Sequence, residues 1–185
     1  DRPNAPCVQE LVNSCLSTIL SQDIFVLGAG RTDAGVHAKQ MLAHFESNSI
    51  VISERNFLVR CNSFLPDDIS INSIRKVTQE AHCRFDAISR TYEYFIIHKK
   101  DPFFRSKAWF VNKNLNVSAM NEAAQVLLEY NDFTSFSKSQ TQTKTNNCKI
   151  YLAEWKPTIE GWVFTIKADR FLRNMVRAIV GTLLE

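Results

Sequence analysis

The chain has 185 residues, of which 45% are hydrophobic and 22% are charged, and its formal net charge is +3. These values are typical of a globular protein with a hydrophobic core, built as one domain or as two small ones. No apolar run reaches roughly 18 residues, so no membrane span is predicted. A net charge this small does not require a nucleic-acid partner, although a local basic face could still bind one.

The cysteines are scattered along the chain and none forms a Cys-x-x-Cys pair. They are Cys7, Cys15, Cys61, Cys83 and Cys148. An odd, scattered set predicts free thiols in a reducing compartment, and we therefore expect a cytoplasmic protein. No cluster of His, Cys and Asp has the spacing of metal ligands, so we expect no metal site.

The first part of the chain alternates between helical and extended patterns. Apolar residues recur at helical spacing over about residues 6–22, after Pro6, which predicts an amphipathic helix. A second helix is predicted to follow Ser53, a plausible N-cap. Short apolar or alternating runs predict strands at 24–27, 41–46, 69–71 and 89–97.

The second part begins with a short strand at 108–111 and a helix capped by Asn116, and a polar, mobile segment is predicted at 131–147. Two strands, 149–155 and 162–168, and a helix at 171–184 follow. The order helix, strand, strand thus occurs twice. It predicts an α+β architecture with two related halves, residues 1–112 and 113–185, each a sheet backed by helices.

The loop between the first two predicted strands carries three glycines and a single carboxylate, that of Asp33, with Arg31 and His37 on either side. Glycine allows positive φ or the close approach of a ligand. A carboxylate on such a loop can be a nucleophile, a base or a structural hydrogen-bond acceptor, and the residues alone leave these open. The loop lacks both the Gly-x-Gly-x-x-Gly pattern of dinucleotide sites and the Gly-Lys-Ser/Thr of phosphate loops.

Two further groups of residues could carry chemistry. Tyr92 and Tyr94 alternate along a predicted strand, which usually indicates packing, but a tyrosine can also stack on a base and transfer a proton. Arg170, Arg173 and Arg177 are spaced to share one helix face. A solvated stripe is the default for such arginines, yet Arg177 stands among apolar neighbours, where a buried guanidinium would need a partner.

Residues 30–38, Gly-Arg-Thr-Asp-Ala-Gly-Val-His-Ala, resemble the signature of the tRNA pseudouridine synthase A family. The segment Arg90-x-Tyr92-x-Tyr94, which follows His-x-Arg-Phe, and the segment 171–177, Phe-Leu-x-x-Met-Val-Arg, match family motifs too. Residues 132–136 match a motif of the Asp-Phe-x-x-Phe type, which we interpret as structural, with both phenylalanines in the core. The matches cover effectively the whole chain.

The resemblance implies the pseudouridine synthase fold, an α+β structure of two related halves with an antiparallel-rich mixed sheet, flanking helices and a central cleft. It implies isomerisation of uridine to pseudouridine in the anticodon stem-loop of tRNA, with no cofactor or metal. It also implies a homodimer that holds tRNA, in the cytoplasm and not at a membrane.

The family's catalytic aspartate matches Asp33, its active-site tyrosine matches Tyr92, and the arginine that pairs with the aspartate matches Arg177. The family often has histidine where this chain has Arg173, so no family role carries over to that residue. Lysines near the polar segment, Lys138, Lys144 and Lys149, could touch RNA or keep a loop soluble. The residues expected to bind the substrate are Arg31, Thr32, Tyr92 and Arg173.

The family has a strand and a Tyr-Asp-Gly-Thr segment before the turn that matches residues 3–5, and it has a C-terminal tail. Neither is present in this sequence, so we expect both ends to be cut. Two alternatives to a synthase stay open. One is a non-catalytic RNA-binding α+β module, which would not need Asp33, and the other is an inactive scaffold whose motifs persist.

Overall fold

The structure of the chain is a computed structural model that describes residues 7–48, 53–138 and 145–185. It divides into two compact units, of which the first ends at Ala87 and the second is Ile88–Glu185. Helices and sheets occur in both units, which confirms the α+β class. The boundary predicted between residues 112 and 113 lies inside the second unit, and the two related halves remain a prediction.

The first unit contains two helices and a short two-stranded sheet. Both predicted helices are confirmed, and Pro6 lies outside the described residues. Ser53 caps the second helix, because its hydroxyl oxygen accepts a hydrogen bond from the N–H of Asn56 at 3.4 Å. The elements are α1 (Val8–Leu20), β1 (Leu27–Gly28), β2 (Ala43–His44) and α2 (Glu54–Phe64), with β1 and β2 antiparallel.

The predicted strand at 24–27 is shorter than expected, because α1 takes the place of a strand partner. The N–H of Val26 donates to Oδ1 of Asn13 at 2.9 Å, and the carbonyl of Val26 accepts from Nε2 of Gln9 at 2.8 Å. Ile24 and Val26 of this segment are buried, and the backbone groups of Val26 are bound by helical side chains and not by a sheet.

The predicted strand at 69–71 is wrong for the same reason. Asn62, on α2, accepts from the N–H of Ile71 at 2.7 Å and donates to its carbonyl at 3.0 Å. A single side-chain amide thus satisfies both backbone groups of Ile71, as a neighbouring strand would.

The second unit is built on a four-stranded sheet in the order β4-β3-β6-β5. Strand β3 pairs with β4 in parallel and with β6 antiparallel, and β5 pairs with β6 antiparallel, which confirms the antiparallel-rich mixed sheet. Short 3₁₀ turns lie at Pro102–Phe104, Leu127–Glu129 and Thr134–Phe136. The longer elements are β3 (Arg90–Ile97), β4 (Trp109–Phe110), α3 (Val117–Val126), β5 (Ile150–Pro157), β6 (Gly161–Ala168) and α4 (Met175–Leu183).

Helix α3 lies along the outer edge of β5. Its predicted cap is confirmed, since Oδ1 of Asn116 accepts from the N–H of Ala119 at 3.2 Å. Asn121 accepts from the N–H of Trp155 at 2.7 Å and donates to its carbonyl at 3.1 Å, and Gln125 donates to the carbonyl of Ala153 at 2.9 Å. The helix is therefore joined to the strand by side-chain amides as well as by apolar packing.

The core of the second unit lies between the sheet and the helices. Phe164 and Ile166 on the sheet are fully buried, as is Met175 on α4. Phe133 is 2% exposed and Phe136 packs against the same core, so the structural interpretation of residues 132–136 is confirmed. Residues 139–144, which include Lys144, lie outside the described residues, and the predicted mobility of 131–147 remains a prediction.

The last helix begins later than predicted. Asn174 adopts a left-handed conformation with φ of 68°, and Met175 donates its N–H to the carbonyl of Leu172 at 3.2 Å. Residues 170–174 are consequently a connecting segment, and only the last of the three spaced arginines is helical. The prediction that Arg170, Arg173 and Arg177 share one helix face is wrong.

Gly161 occupies a position that has no room for a side chain. An added Cβ would clash with the carbonyl oxygen of Ile96 and lie 3.0 Å from Cα of Ile97, both in the paired strand β3. We expect Gly161→Ala to lower the free energy of unfolding by about 1–3 kcal/mol, because strand backbone must shift. Thermal or urea unfolding measures the loss.

The matched control for that variant is Gly181→Ala. Gly181 lies inside α4, and an added Cβ there meets no atom within 4 Å. Alanine favours a helix over glycine, so we expect a gain in stability of about 0.5–1 kcal/mol. Equal stability changes for the two variants would contradict the close approach of β3 and β6 at Gly161.

The thiols differ in burial and in acidity. Burial raises the pKa of Cys15 to about 12 and that of Cys148 to about 11, and it also raises the pKa of Cys61. A raised pKa leaves less thiolate at pH 8, and burial blocks access, so these three thiols should resist iodoacetamide while the exposed Cys7 reacts. Mass spectrometry of the labelled peptides, with a urea-unfolded sample as control, measures this; equal labelling of Cys7 and Cys15 in the folded protein would contradict it.

Candidate active site

The glycine-rich loop is held at its base by backbone and leaves its tip exposed. It connects β1 to β2, and the N–H of Ala29 donates to the carbonyl of Leu42 at 2.8 Å, just beyond the paired strands. At the tip, the carbonyl of Asp33 accepts from the N–H of Val36 at 3.2 Å, and Gly35 has a φ of 85°. The backbone therefore makes the turn, and glycine is needed at position 35.

The side chains of this loop face outward. Every residue from 31 to 40 is exposed, including Arg31, Thr32 and Asp33, which follow one another along the tip. The carboxylate of Asp33 is thus presented on a shaped loop, next to the fixed positive charge of Arg31. A ligand could approach this carboxylate without any rearrangement of the core.

Tyr92 lies on β3, opposite Ile166 of β6, and is half-buried. The ring of Phe171 meets its ring edge to face, with the centroids 5.0 Å apart and the planes at 86°. This geometry is favourable for aromatic pairs and fixes the orientation of the tyrosine. The same residue therefore packs against the core and keeps part of its surface open, so packing and chemistry do not exclude each other.

Arg173 lies in the segment that connects β6 to α4 and is exposed. Its carbonyl accepts from the N–H of Lys138 at 3.1 Å, so the two basic residues lie side by side. The ammonium of Lys149 lies 5.9 Å from the centre of the Tyr151 ring, a cation–π distance. Arg173 and Lys138 are consequently neighbours through their backbones.

Arg177 is exposed, in the first turn of α4. The same helix buries Met175, Ile179 and Val180 in the core, so Arg177 stands beside apolar residues without being buried among them. A positive charge in the first helical turn also opposes the helix dipole, which favours anions there. Helix stability alone does not explain an arginine at this position.

The structure thus places the predicted residues in two sets. Arg31, Thr32 and Asp33 are together on the loop of the first unit, and the second unit carries Tyr92, Arg173 and Arg177. A direct pair between Asp33 and Arg177, and the central cleft, remain predictions. Among the described residues, no group of three or more His, Cys, Asp or Glu side chains could hold a metal ion.

Sequence reasoning missed two residues beside the candidate site. Phe171 supports the ring of Tyr92, although 79 residues separate them; its place inside a family motif was the available signal. Asp169 follows the last residue of β6 and binds backbone groups of its neighbours. An acidic residue at a predicted strand end, directly before an arginine-rich segment, was the available signal for it.

No helix in the described part of the chain has the length and apolar character needed to cross a membrane.

Comparisons with known proteins give a consistent result. The family model described as tRNA pseudouridine synthase matches residues 123–185. A protein of Bacteroides thetaiotaomicron named tRNA pseudouridine synthase A is 53% identical over 188 residues, covering 100% of this chain and 69% of the relative. Proteins of the same name from Bacteroides fragilis and Clostridium acetobutylicum are 51% and 38% identical, over 100% and 98% of this chain and 73% and 75% of the relatives.

Proposed function

Because the chain belongs to the tRNA pseudouridine synthase A family, we propose that it isomerises uridine to pseudouridine in tRNA. The single observation that carries this proposal is the identity of about half of all residues to synthases of that name across the whole chain. The exposed carboxylate of Asp33 on the glycine loop supplies a group suited to the reaction. The anticodon stem-loop as the target, a homodimer and a cytoplasmic location are parts of the same proposal.

The reaction is an internal rearrangement. The bond between N1 of uracil and C1′ of the ribose breaks, the ring turns, and C5 forms a bond to C1′. C5 loses a proton and N1 gains one, so atoms and electrons balance without an oxidant or a transferred group. What the reaction needs from the protein is a carboxylate at the sugar or base, groups that move protons, and a site that accepts an extruded base.

Each candidate residue has a role in this scheme. Asp33, ionised, would attack C1′, add to the ring or remove a sugar proton, and these three possibilities stay open. Tyr92 would stack on the uracil and act as acid or base, with Phe171 holding its ring. Arg177 would favour the ionised form of Asp33 as an opposite charge at close range.

The remaining residues would bind the nucleotide. Arg31 would hold the phosphate of the extruded nucleotide or the space that its base leaves, with Thr32 beside it on the loop. Arg173 would contact the RNA backbone together with the neighbouring Lys138. Such phosphate contacts make binding salt-dependent even in a protein with a small net charge.

The alternative from another class is an RNA-binding module without catalysis. It would use the basic and aromatic surface but would have no need for a carboxylate on the glycine loop. Membership of a family of synthases favours the enzyme.

The deciding experiment is to incubate the full-length protein with an unmodified tRNA transcript and to map pseudouridine by carbodiimide labelling and primer extension. Product in the anticodon stem-loop is the expected result. Tight tRNA binding without any product would support the binding module instead. Light scattering of the same sample tests the homodimer, which a monomeric mass at micromolar concentration would contradict.

A further inference from the structure

We propose that Asp169 is a positioning residue, which holds the segment between β6 and α4 in the arrangement that catalysis needs. The proposal rests on the proposed function, because it concerns residues assigned to that reaction.

The carboxylate of Asp169 closes the end of the sheet. Its Oδ1 accepts from the N–H of Lys149 at 2.8 Å and from the N–H of Arg170 at 2.7 Å. One oxygen therefore joins Lys149, the residue before β5, to Arg170, the second residue after β6. Hydrogen bonds to an ionised acceptor are short and about twice as strong as neutral ones.

The backbone of Asp169 makes two further connections. Its N–H donates to the carbonyl of Lys149 at 3.1 Å, and its carbonyl accepts from Nη1 of Arg90 at 3.1 Å. Arg90 is the first residue of β3, two positions before Tyr92. Asp169 thus joins the neighbouring ends of β3, β5 and β6, directly beyond the pairs that Ala168 forms with Arg90 and Ile150.

Asp169 lies next to the residues of the second unit that are candidates for catalysis. Between Asp169 and α4 lie only residues 170–174, which include Arg173 and Phe171, the ring that packs on Tyr92. The segment is held at its far end by the buried Leu172 and Met175. Without the bonds of Asp169, the segment would be held only at its α4 end. Phe171 and the start of α4, which carries Arg177, would then no longer be fixed in position relative to β3.

Three variants of the full-length protein separate position from charge. Asp169→Ala removes the acceptor. Asp169→Asn keeps an oxygen that can accept both N–H groups but has no charge. Asp169→Glu keeps the charge but moves the oxygen by one methylene.

The matched control is Asp101→Ala. Asp101 is half-buried in the same unit, and its Oδ1 accepts from the N–H of Phe103 at 2.8 Å, at the start of a 3₁₀ turn. The variant Asp101→Ala thus loses a similar hydrogen bond, but one that lies outside the segment 170–174. Values of kcat and KM for pseudouridine formation in a tRNA transcript are measured for wild type and all variants, with thermal unfolding to establish that each is folded.

We expect kcat for Asp169→Ala and Asp169→Glu to fall about tenfold to a hundredfold with little change in KM, because misplacement of catalytic groups has effects of this size. Asp169→Asn and Asp101→Ala should stay within a few-fold of wild type. If Asp169→Ala does not fold, the comparison of Asn with Glu decides.

The proposal is overturned if Asp169→Asn loses as much kcat as Asp169→Ala, or if Asp169→Glu keeps the wild-type kcat. It is also overturned if only the melting temperature changes, since a merely structural role would produce that. A wild type that makes no pseudouridine would overturn the proposed function as well, whereas an active wild type with unaffected Asp169 variants would overturn this inference alone.

Discussion

Replacing Asp33 by asparagine is expected to lower single-turnover pseudouridine formation by at least about 10³-fold, because the loop carries no second carboxylate that could take over its role. The loop itself should survive the change. Its turn is made by the backbone carbonyl of Asp33 and by Gly35, and asparagine keeps both. The loss would therefore report on chemistry and not on folding.

Binding of tRNA by Asp33→Asn should stay within a few-fold of wild type, since removal of a negative charge does not weaken attraction to a polyanion. Filter binding at fixed salt measures this. The matched control is Asp68→Asn, which removes an exposed carboxylate from another turn of the first unit and should leave turnover unchanged. Substantial single-turnover activity in Asp33→Asn would exclude Asp33 as the essential carboxylate.

The second large effect is expected for Arg177. Arg177→Ala should lower kcat by about 10²-fold or more if Arg177 has the proposed role of positive partner to the Asp33 carboxylate. Arg177→Lys should keep weak activity, since an ammonium retains the charge but not the two parallel hydrogen bonds of a guanidinium. The exposed Arg105, in a loop of the same unit, provides the control Arg105→Ala, with activity close to wild type.

The pairing of Asp33 with Arg177 can be tested without reference to distance. If the two act as one unit, the double variant Asp33→Asn, Arg177→Ala should be no slower than Asp33→Asn alone. Losses that multiply would contradict the pair even if each residue matters by itself.

The expected effect of Arg177→Ala on stability is small. Removing an arginine from a buried ion pair leaves the partner's charge uncompensated. Arg177, however, is exposed in the first turn of α4, where its charge opposes the helix dipole. We expect the melting temperature to change by no more than a few degrees. A large decrease would indicate that Arg177 supports the fold as well as the reaction.

Much of the fold follows from local patterns. Helical spacing and side-chain caps at Ser53 and Asn116 predicted α2 and α3 with nearly correct starts. The aromatic and β-branched run predicted β3, which is a central strand. In these elements the pattern of apolar residues matches the burial, and such a pattern can be recognised in the sequence alone.

The elements that were predicted wrongly depend on features that hydrophobic spacing does not record. The extended segments at Val26 and Ile71 have the composition of strands, but helical amides bind their backbone. The start of α4 depends on Asn174, whose left-handed conformation interrupts a continuous helical pattern. Spacing alone gives neither outcome, because the first depends on which side chain of a helix meets the segment and the second on the backbone conformation of one residue.

The candidate site shows the same division. Its residues could be named from motifs, since Asp33, Tyr92 and Arg177 each stand in a recognisable segment. What Phe171 and Asp169 contact could not be predicted, because Phe171 reaches Tyr92, and Asp169 reaches Arg90, only through the pairing of β3 with β6.

The side-chain amides along β5 have a consequence for how the protein meets copies of itself. An outer strand with unpaired N–H and C=O groups is a template on which another chain can add a strand and begin to aggregate. Asn121 and Gln125 occupy such groups at Trp155 and Ala153 from a helix that belongs to the same unit. A foreign strand would have to displace α3 before it could pair there, so this edge of the sheet is closed to intermolecular growth while the helix stays in place.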